Sequence, residues 1–243
     1  MADRLLSLVL PAYKQEKTIQ KDITNLAKVL STLPLKYELI VVVDGFVDKT
    51  YSKAKRKENK NIKVLGYKEN QGKGFAIKHG VEEAKGDIIG YIDAGMDLDP
   101  KEISIMLDIM DWNKADIVIG SKLHPDSKVN YPLSRKILSW GYRAIIRILF
   151  DLKVKDTQVG LKLFKRNVAK RVFRRIVVKA FAFDVEVLAV AQLYGYTRIY
   201  EAPVILKFKP GSINSTNFWK ISFLTLWDTL AVFYRINILR FYS

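Results

Sequence analysis

A mostly parallel α/β sheet with helices on both faces is the fold class predicted by this sequence, on three observations. The 243 residues fit one large α/β domain. Short apolar runs alternate regularly with helix-period stretches through the first half. Within one of those stretches Ile103, Met106, Leu107 and Met110 keep helical spacing. The predicted strands are Leu5–Leu10, Glu38–Val43, Ile62–Gly66, Ile88–Ile92 and Ile117–Ile119, and the intervening helices span about 16–32, 48–59, 73–85 and 100–112. In such sheets ligands collect beyond the carboxyl ends of the strands.

The second half is less regular. A polar loop at His124–Tyr131 leads into a basic amphipathic helix near Ser134–Phe150. The segment Asp156–Phe164 follows, then a helix near Asp184–Tyr194, a strand near Arg198–Lys207 and a turn at Pro210-Gly211. The stretch Thr216–Ser243 is dense in large apolar residues, among them Phe218, Trp219, Phe223, Trp227, Leu230 and Phe233. Lys220, Asp228, Arg235 and Arg240 interrupt it, which suits a helix lying in a membrane interface better than one crossing a bilayer. A terminal helix packed on the domain, or a contact in a homodimer, fits the same pattern. No internal repeat or low-complexity tract divides the chain.

Hydrophobic residues make up 49% and charged residues 27%, enough for a packed core. Cysteine is absent, which excludes disulfides, thiolate metal sites and cysteine nucleophiles. The apolar stretch Leu5–Leu10 is too short for a signal peptide, so a cytoplasmic chain is expected. The net charge of +16 is concentrated: residues 1–121 carry +1, residues 122–179 carry +13 and residues 180–243 carry +2. A basic segment of that kind expects an anionic partner, whether lipid headgroups, a phosphate-bearing substrate or nucleic acid. No recognised nucleic-acid module accompanies it, so nucleic acid is not expected as a partner.

The chemistry-bearing residues follow the strands. The first strand runs into Pro11-Ala12-Tyr13-Lys14-Gln15, and the second ends in Val43-Asp44-Gly45. A carboxylate at a strand end can accept hydrogen bonds from a base or ribose. The glycine-rich turn Asn70-Gln71-Gly72-Lys73-Gly74 opens a helix whose amides, with Lys73, suit phosphate, although it lacks the spacing of a P-loop or dinucleotide fingerprint. The fourth strand delivers Asp93-Ala94-Gly95-Met96-Asp97-Leu98-Asp99-Pro100. Three carboxylates in seven residues repel one another unless a cation is shared, and oxygen-only ligands suit Mg²⁺ or Mn²⁺ bridging a diphosphate. Asp99-Pro100 is expected to cap the next helix, leaving Asp93 and Asp97 for the metal. Asp184 and Glu186 stand at a helix start, where acids complement the helix dipole or serve a site.

Together these segments resemble the family 2 glycosyltransferases, specifically the polyprenyl- and dolichyl-phosphate hexose (mannose or glucose) transferases. The matching segments are PAYKQEKTI, VVVDGFVDKT, NQGKGFAIKHG, YIDAGMDLDP, the basic run around Arg135, DTQVGLKLFKR, and FAFDVEVL with its downstream EAPV. In order and spacing they cover nearly the whole chain. The resemblance implies a GT-A fold, a nucleotide-sugar donor, a divalent metal, and an isoprenoid phosphate acceptor at the membrane. By position it makes Pro11, Tyr13 and Asp44 nucleotide contacts and Asp93 the first metal-site aspartate, with Asp97 assisting. Arg135 and Ser139 match positions that bind the acceptor phosphate, and Lys122 stands where relatives often have an arginine with that task. It also suggests that Asp184 and Glu186 approach the sugar or acceptor. Residues 1–121 would form the nucleotide-sugar half of the domain, 122–212 the acceptor half, and 213–243 an amphipathic helix at the membrane or a dimer contact.

The departures are specific. Gly95 stands where relatives carry the second aspartate of Asp-Ala-Asp, Lys14-Gln15 replaces Asn-Glu, and Val43-Asp44-Gly45-Phe46 replaces Asp-Asp-Gly-Ser. The resemblance therefore carries neither a nucleobase preference nor a metal geometry, and the lost aspartate leaves room for an inactive relative that binds nucleotide sugar or a membrane partner. For an active enzyme the role of the acceptor follows from physics. A phosphate monoester is largely ionised near neutral pH and attacks the anomeric carbon without a strong general base. The protein has mainly to orient it and to neutralise the leaving diphosphate. His79 and His124, the two histidines, sit beside no obvious nucleophile. The expected activity is inverting hexose transfer from a nucleotide sugar, of the GDP-mannose or UDP-glucose type, to a polyprenyl or dolichyl phosphate, by a chain held peripherally on the cytoplasmic membrane face.

Overall fold

The computed structural model describes residues 3–95, 97–129, 133–180, 182–206 and 218–242, with the side chains of 129, 133–140 and 218–221 outside that description. Its elements run β1 (Leu5–Ala12), α1 (Ile19–Leu30), β2 (Lys36–Asp44), α2 (Thr50–Lys55), β3 (Ile62–Tyr67), α3 (Lys73–Glu83), β4 (Ile88–Ile92), α4 (Glu102–Trp112) and β5 (Ile117–Ser121). The second half adds β6 (Lys128–Val129), α5 (Leu133–Phe150), β7 (Leu161–Lys165), α6 (Arg166–Arg175), α7 (Phe183–Leu193), β8 (Ile199–Pro203), β9 (Ile205–Leu206) and α8 (Phe218–Asn237).

Seven strands form one sheet in the order β3-β2-β1-β4-β7-β5-β8. All neighbours are parallel except β7, which runs antiparallel between β4 and β5. This is the mostly parallel sheet that the alternation predicts. Successive side chains of a strand point to opposite faces, and β1 shows it: Leu6, Leu8 and Leu10 enter one core while Val9 enters the other. The first core is closed by Ile19, Ile23, Leu26 and Leu30 of α1 and by Ile103, Met106, Leu107 and Met110 of α4. Those spacings place one apolar stripe on each helix. The opposite core takes Ala76, Ile77 and Val81 of α3, the apolar side of α6, most of α7, and Ile146, Phe150 and Val232 from α5 and α8. Both sheet faces are thus covered, as parallel sheets require.

The second half departs from the sequence reading in three places. Asp156–Phe164, to which periodicity assigns no element, carries most of β7. The next stretch forms α6, whose Val168, Ala169, Val172 and Phe173 are buried while Arg171, Arg174 and Arg175 stay exposed. The single strand expected near Arg198–Lys207 is two: β8 closes the large sheet, and β9 pairs with β6 in a small parallel ribbon. α5 and α8 lie together, joined by a 2.7 Å hydrogen bond between Tyr142 Oη and Thr229 Oγ1, and burial pushes the Tyr142 hydroxyl up to about 12. No helix among the described residues is long and apolar enough to cross a membrane.

Candidate active site

The parallel strands end on one edge of the sheet, and the loops there carry the chemistry. After β1, Pro11 is buried and Tyr13 is exposed, with the Lys14 ammonium 5.2 Å from the Tyr13 ring centre. The loops after β1 and β2 are tied together: the Gln15 amide donates to Thr50 Oγ1 at 2.8 Å, and the Lys49 amide donates to Glu16 Oε2 at 3.1 Å. Between them lies a cleft of about 460 Å³, lined by Lys14, Gln15, Glu16, Lys17, Val47 and Asp48 among others.

Asp44, at the end of β2, is 3% exposed. Its carboxylate accepts hydrogen bonds from Tyr67 Oη (2.9 Å), Asn70 Nδ2 (2.7 Å) and the amides of Gln71 (2.7 Å) and Gly72 (3.0 Å). It therefore shapes the glycine-rich turn from beneath. The Gly74 amide bonds the Lys179 carbonyl at 2.8 Å, which fixes the start of α3 from the other side. Lys73, the first residue of α3, is aimed by these two restraints.

The Lys73 ammonium lies 2.7 Å from Asp93 Oδ1 and 3.9 Å from Asp184 Oδ2, with the Phe183 ring centre 5.5 Å away. Asp93 follows β4, and its amide donates to the Gly160 carbonyl at 2.8 Å. A Cβ on Gly160 would fall 1.9 Å from Asp93 Oδ2, so only glycine at the mouth of β7 leaves room for that carboxylate. Gly95 adopts φ +95°, a left-handed turn that disfavours a side chain even though the space around it is open. Its amide donates to Asp22 Oδ2 at 3.2 Å. Asp97 is half-buried two residues on, and Met96 lies outside the described residues. Asp99 does not take the expected capping part: its Oδ1 accepts the Lys101 amide at 3.1 Å in the turn before α4. Lys101 is itself the N-cap, with no side-chain capping hydrogen bond, because the turn places Asp99 too early to reach the first helical amides.

Asp184 opens α7 and is nearly buried. Its Oδ1 accepts a 2.6 Å hydrogen bond from Tyr91 Oη and a close ion pair from Lys162. Lys162 is completely buried on β7 and also donates to the Val159 carbonyl at 2.7 Å. Burial lowers its pKa, and Asp184 opposes the shift. Burial would lower Lys73 as well, but Asp93 and Asp184 outweigh it and hold that ammonium above its ordinary value. Burial raises the Tyr91 hydroxyl, and Asp184 adds to the effect. Asp93, Lys73, Asp184 and Lys162 thus form a chain of alternating sign.

Glu186, two residues further along α7, makes different contacts. Its oxygens accept the amides of Val177 (3.0 Å) and Val178 (2.8 Å) and a short hydrogen bond from Tyr242 Oη. Burial raises its pKa against those donors. Lys122 lies after β5, its ammonium 3.7 Å from Asp156 Oδ2 and its amide 3.0 Å from the same oxygen. Glu201 holds that loop through the amides of Lys155 and Asp156. Arg135 and Ser139 are on α5, and their side chains lie outside the described residues. Lys162, Gly160 and Tyr91 were not singled out in the sequence. The one available signal was a lysine inside the otherwise apolar Leu161–Phe164, which period-2 alternation assigns to solvent.

Comparison with known proteins bears on the family and the fold. The sequence profile of glycosyl transferase family 2 matches residues 7–173. A dolichyl-phosphate beta-glucosyltransferase of Dictyostelium discoideum is 33% identical over 202 residues, 77% of this chain and 62% of the relative. The Homo sapiens dolichyl-phosphate beta-glucosyltransferase is 32% identical over 206 residues, 78% of this chain and 63% of the relative. The chain thus spans less than two thirds of the length of these relatives. Among solved structures, glucosyl-3-phosphoglycerate synthase from Mycobacterium tuberculosis, in complex with Mn²⁺, uridine diphosphate and glucosyl-3-phosphoglycerate, superposes with a TM-score of 0.72 at 18% identity, covering 94% of this chain and 80% of that one. That likeness establishes the GT-A fold. With the fold, the profile and the order of motifs in accord, the chain belongs to glycosyl transferase family 2.

Proposed function

We propose that this chain moves a hexose, with inversion, from a nucleotide sugar of the GDP-mannose or UDP-glucose type to a polyprenyl or dolichyl phosphate at the cytoplasmic membrane face. The observation that carries the proposal is the meeting of Asp93, Lys73 and Asp184 at the strand ends, in a chain whose relatives are named for sugar transfer to dolichyl phosphate. Pro11 and Tyr13 border the nucleoside, and Asp44 acts through the turn that presents Lys73 to the diphosphate.

Asp93 and Asp97 would hold Mg²⁺ or Mn²⁺. Among the described residues there is no cluster of three metal-ligating side chains, and one or two carboxylates suit an ion that takes its remaining ligands from phosphates and water. When bound, the ion neutralises the leaving diphosphate as a Lewis acid. Lys73 adds a second positive charge on the same side. Lys122, Arg135 and Ser139 orient the acceptor phosphate, which is ionised and needs no strong base. Asp184, held by Tyr91 and Lys162, fixes Lys73 and faces the reacting sugar. Glu186 serves by position, tying α7 to Val177 and Val178.

The membrane part of the reading is supported by α8. Phe223 (65%), Trp227 (63%), Leu230 (44%) and Tyr234 (51%) are exposed at helical spacing, with Leu224 beside them. Exposed Arg147 of α5 and Arg171, Arg174 and Arg175 of α6 provide cations for anionic headgroups. An assay with Mg²⁺ or Mn²⁺, a panel of nucleotide sugars and a short-chain polyprenyl phosphate tests the proposal. Donor consumption with formation of a lipid-linked sugar is expected, and silence across the panel defeats it. Asp93→Asn should abolish turnover with an unchanged circular dichroism spectrum; retained turnover removes the metal role.

A further inference from the structure

Asp93 is the anchor of the metal in the proposed function, and the inference below rests on that reading. Its Oδ1 is shielded from solvent and lies 2.7 Å from the Lys73 ammonium, while Oδ2 rests over Gly160. An arriving dication therefore meets one carboxylate oxygen paired with an ammonium and the other packed over Gly160. Gly95 offers no third carboxylate.

The next shell does not restore negative charge. Asp184 lies 3.9 Å from Lys73, but its Oδ1 is matched by the buried Lys162. Against the three carboxylates Asp93, Asp97 and Asp184, the ammonium groups of Lys73 and Lys162 offset all but one negative charge. A Lys162 replaced by an apolar side chain would leave this group more negative and more attractive to a cation, and the buried ammonium is itself costly to desolvate. The start of α3, held by Asp44 on one side and Lys179 on the other, keeps Lys73 aimed at Asp93 rather than at solvent.

We propose that Lys73 is an internal counter-cation that closes the metal position of the free protein, so that the metal enters only together with a nucleoside diphosphate. The diphosphate supplies oxygen ligands for the ion and a second anion for Lys73. When the metal takes Asp93 with a diphosphate present, Lys73 keeps an anionic partner, and with a dication alone it loses its 2.7 Å partner and faces the ion's charge. Lys73 in this account is a positioning residue for the metal, in addition to meeting the diphosphate.

The test is direct Mn²⁺ binding, followed by electron paramagnetic resonance or calorimetry on the full chain, with and without uridine or guanosine diphosphate. Wild type is expected to bind Mn²⁺ at least tenfold more tightly with the nucleoside diphosphate than without it. Lys73→Met should gain at least tenfold in nucleotide-free affinity, and Lys73→Met with Asp93→Asn should lose that gain. Equal nucleotide-free affinity in wild type and Lys73→Met overturns the proposal while leaving the metal reading intact. Absence of Mn²⁺ binding in every variant, nucleotide included, overturns the metal reading itself and this inference with it. The wild-type comparison needs no variant to fold, and thermal melts of Lys73→Met establish that its affinity belongs to the native state.

Discussion

Replacing Lys162 by methionine isolates the most buried charge of the site. The side chain is 0% exposed, pairs with Asp184 and donates to the Val159 carbonyl. Methionine fills similar volume, so the main loss is electrostatic. Breaking one partner out of a buried pair costs about 3–5 kcal/mol, because the remaining charge is stranded. In a domain of this size each kcal/mol moves Tm by roughly 2–4 °C, so Tm should fall by about 6–20 °C. Lys162→Met combined with Asp184→Asn removes the stranded charge and should recover most of that loss, since replacing both partners is far milder than replacing one. Thermal and urea melts of the three proteins decide it. If the double variant is as unstable as the single one, packing of the lysine stem, not its charge, is what the site needs. The pH dependence gives a second check. Burial lowers the Lys162 pKa, so between its folded value and the ordinary 10.5 the unfolded chain binds more protons than the native one. Lys162 should therefore contribute a rise in stability with pH across that window, against the fall that tyrosines raised in the folded state, such as Tyr142, contribute toward its upper end. Lys73, raised above 10.5, stays protonated in both states there and adds no slope. The double variant should lack that contribution and show the less positive slope; an identical slope in both proteins would falsify the assignment.

Three further outcomes are expected. Gly160→Ala places a methyl group 1.9 Å from Asp93 Oδ2; the displaced carboxylate should cost turnover more than stability, with about 1–3 kcal/mol lost to overpacking in urea melts. Tyr242→Phe deletes the hydroxyl that donates to Glu186, and a buried carboxylate losing a donor should cost about 1–3 kcal/mol, measured by the same melts. Phe223→Ser with Trp227→Ser changes two exposed side chains; Tm should shift by less than about 0.5 kcal/mol equivalent, while partitioning onto anionic vesicles drops, and unchanged partitioning would place the membrane contact elsewhere.

Much of this protein was legible in its sequence because the information is local. The apolar runs before Pro11, Asp44, Asp93 and Ser121 are strands, and the stripes of α1 and α4 follow from residues three and four apart. The acidic turn, the glycine-rich turn and the family they point to depend on spacing along the chain, and spacing survives without a structure. What the tertiary structure alone decided are pairings between residues distant in sequence. The antiparallel insertion of β7 between β4 and β5 brings Gly160 under Asp93 and buries Lys162 against Asp184. In a strand with one wet face that lysine would point to water, and nothing in Leu161–Phe164 says that both faces are covered. Likewise Asp44, expected at the nucleotide, has its carboxylate turned to the loop at 67–72, and Glu186 is joined to Tyr242, 56 positions away. Local periodicity records which face of an element is apolar. The closing of one element over another, and so which charges lose their water and must find partners, is set by topology.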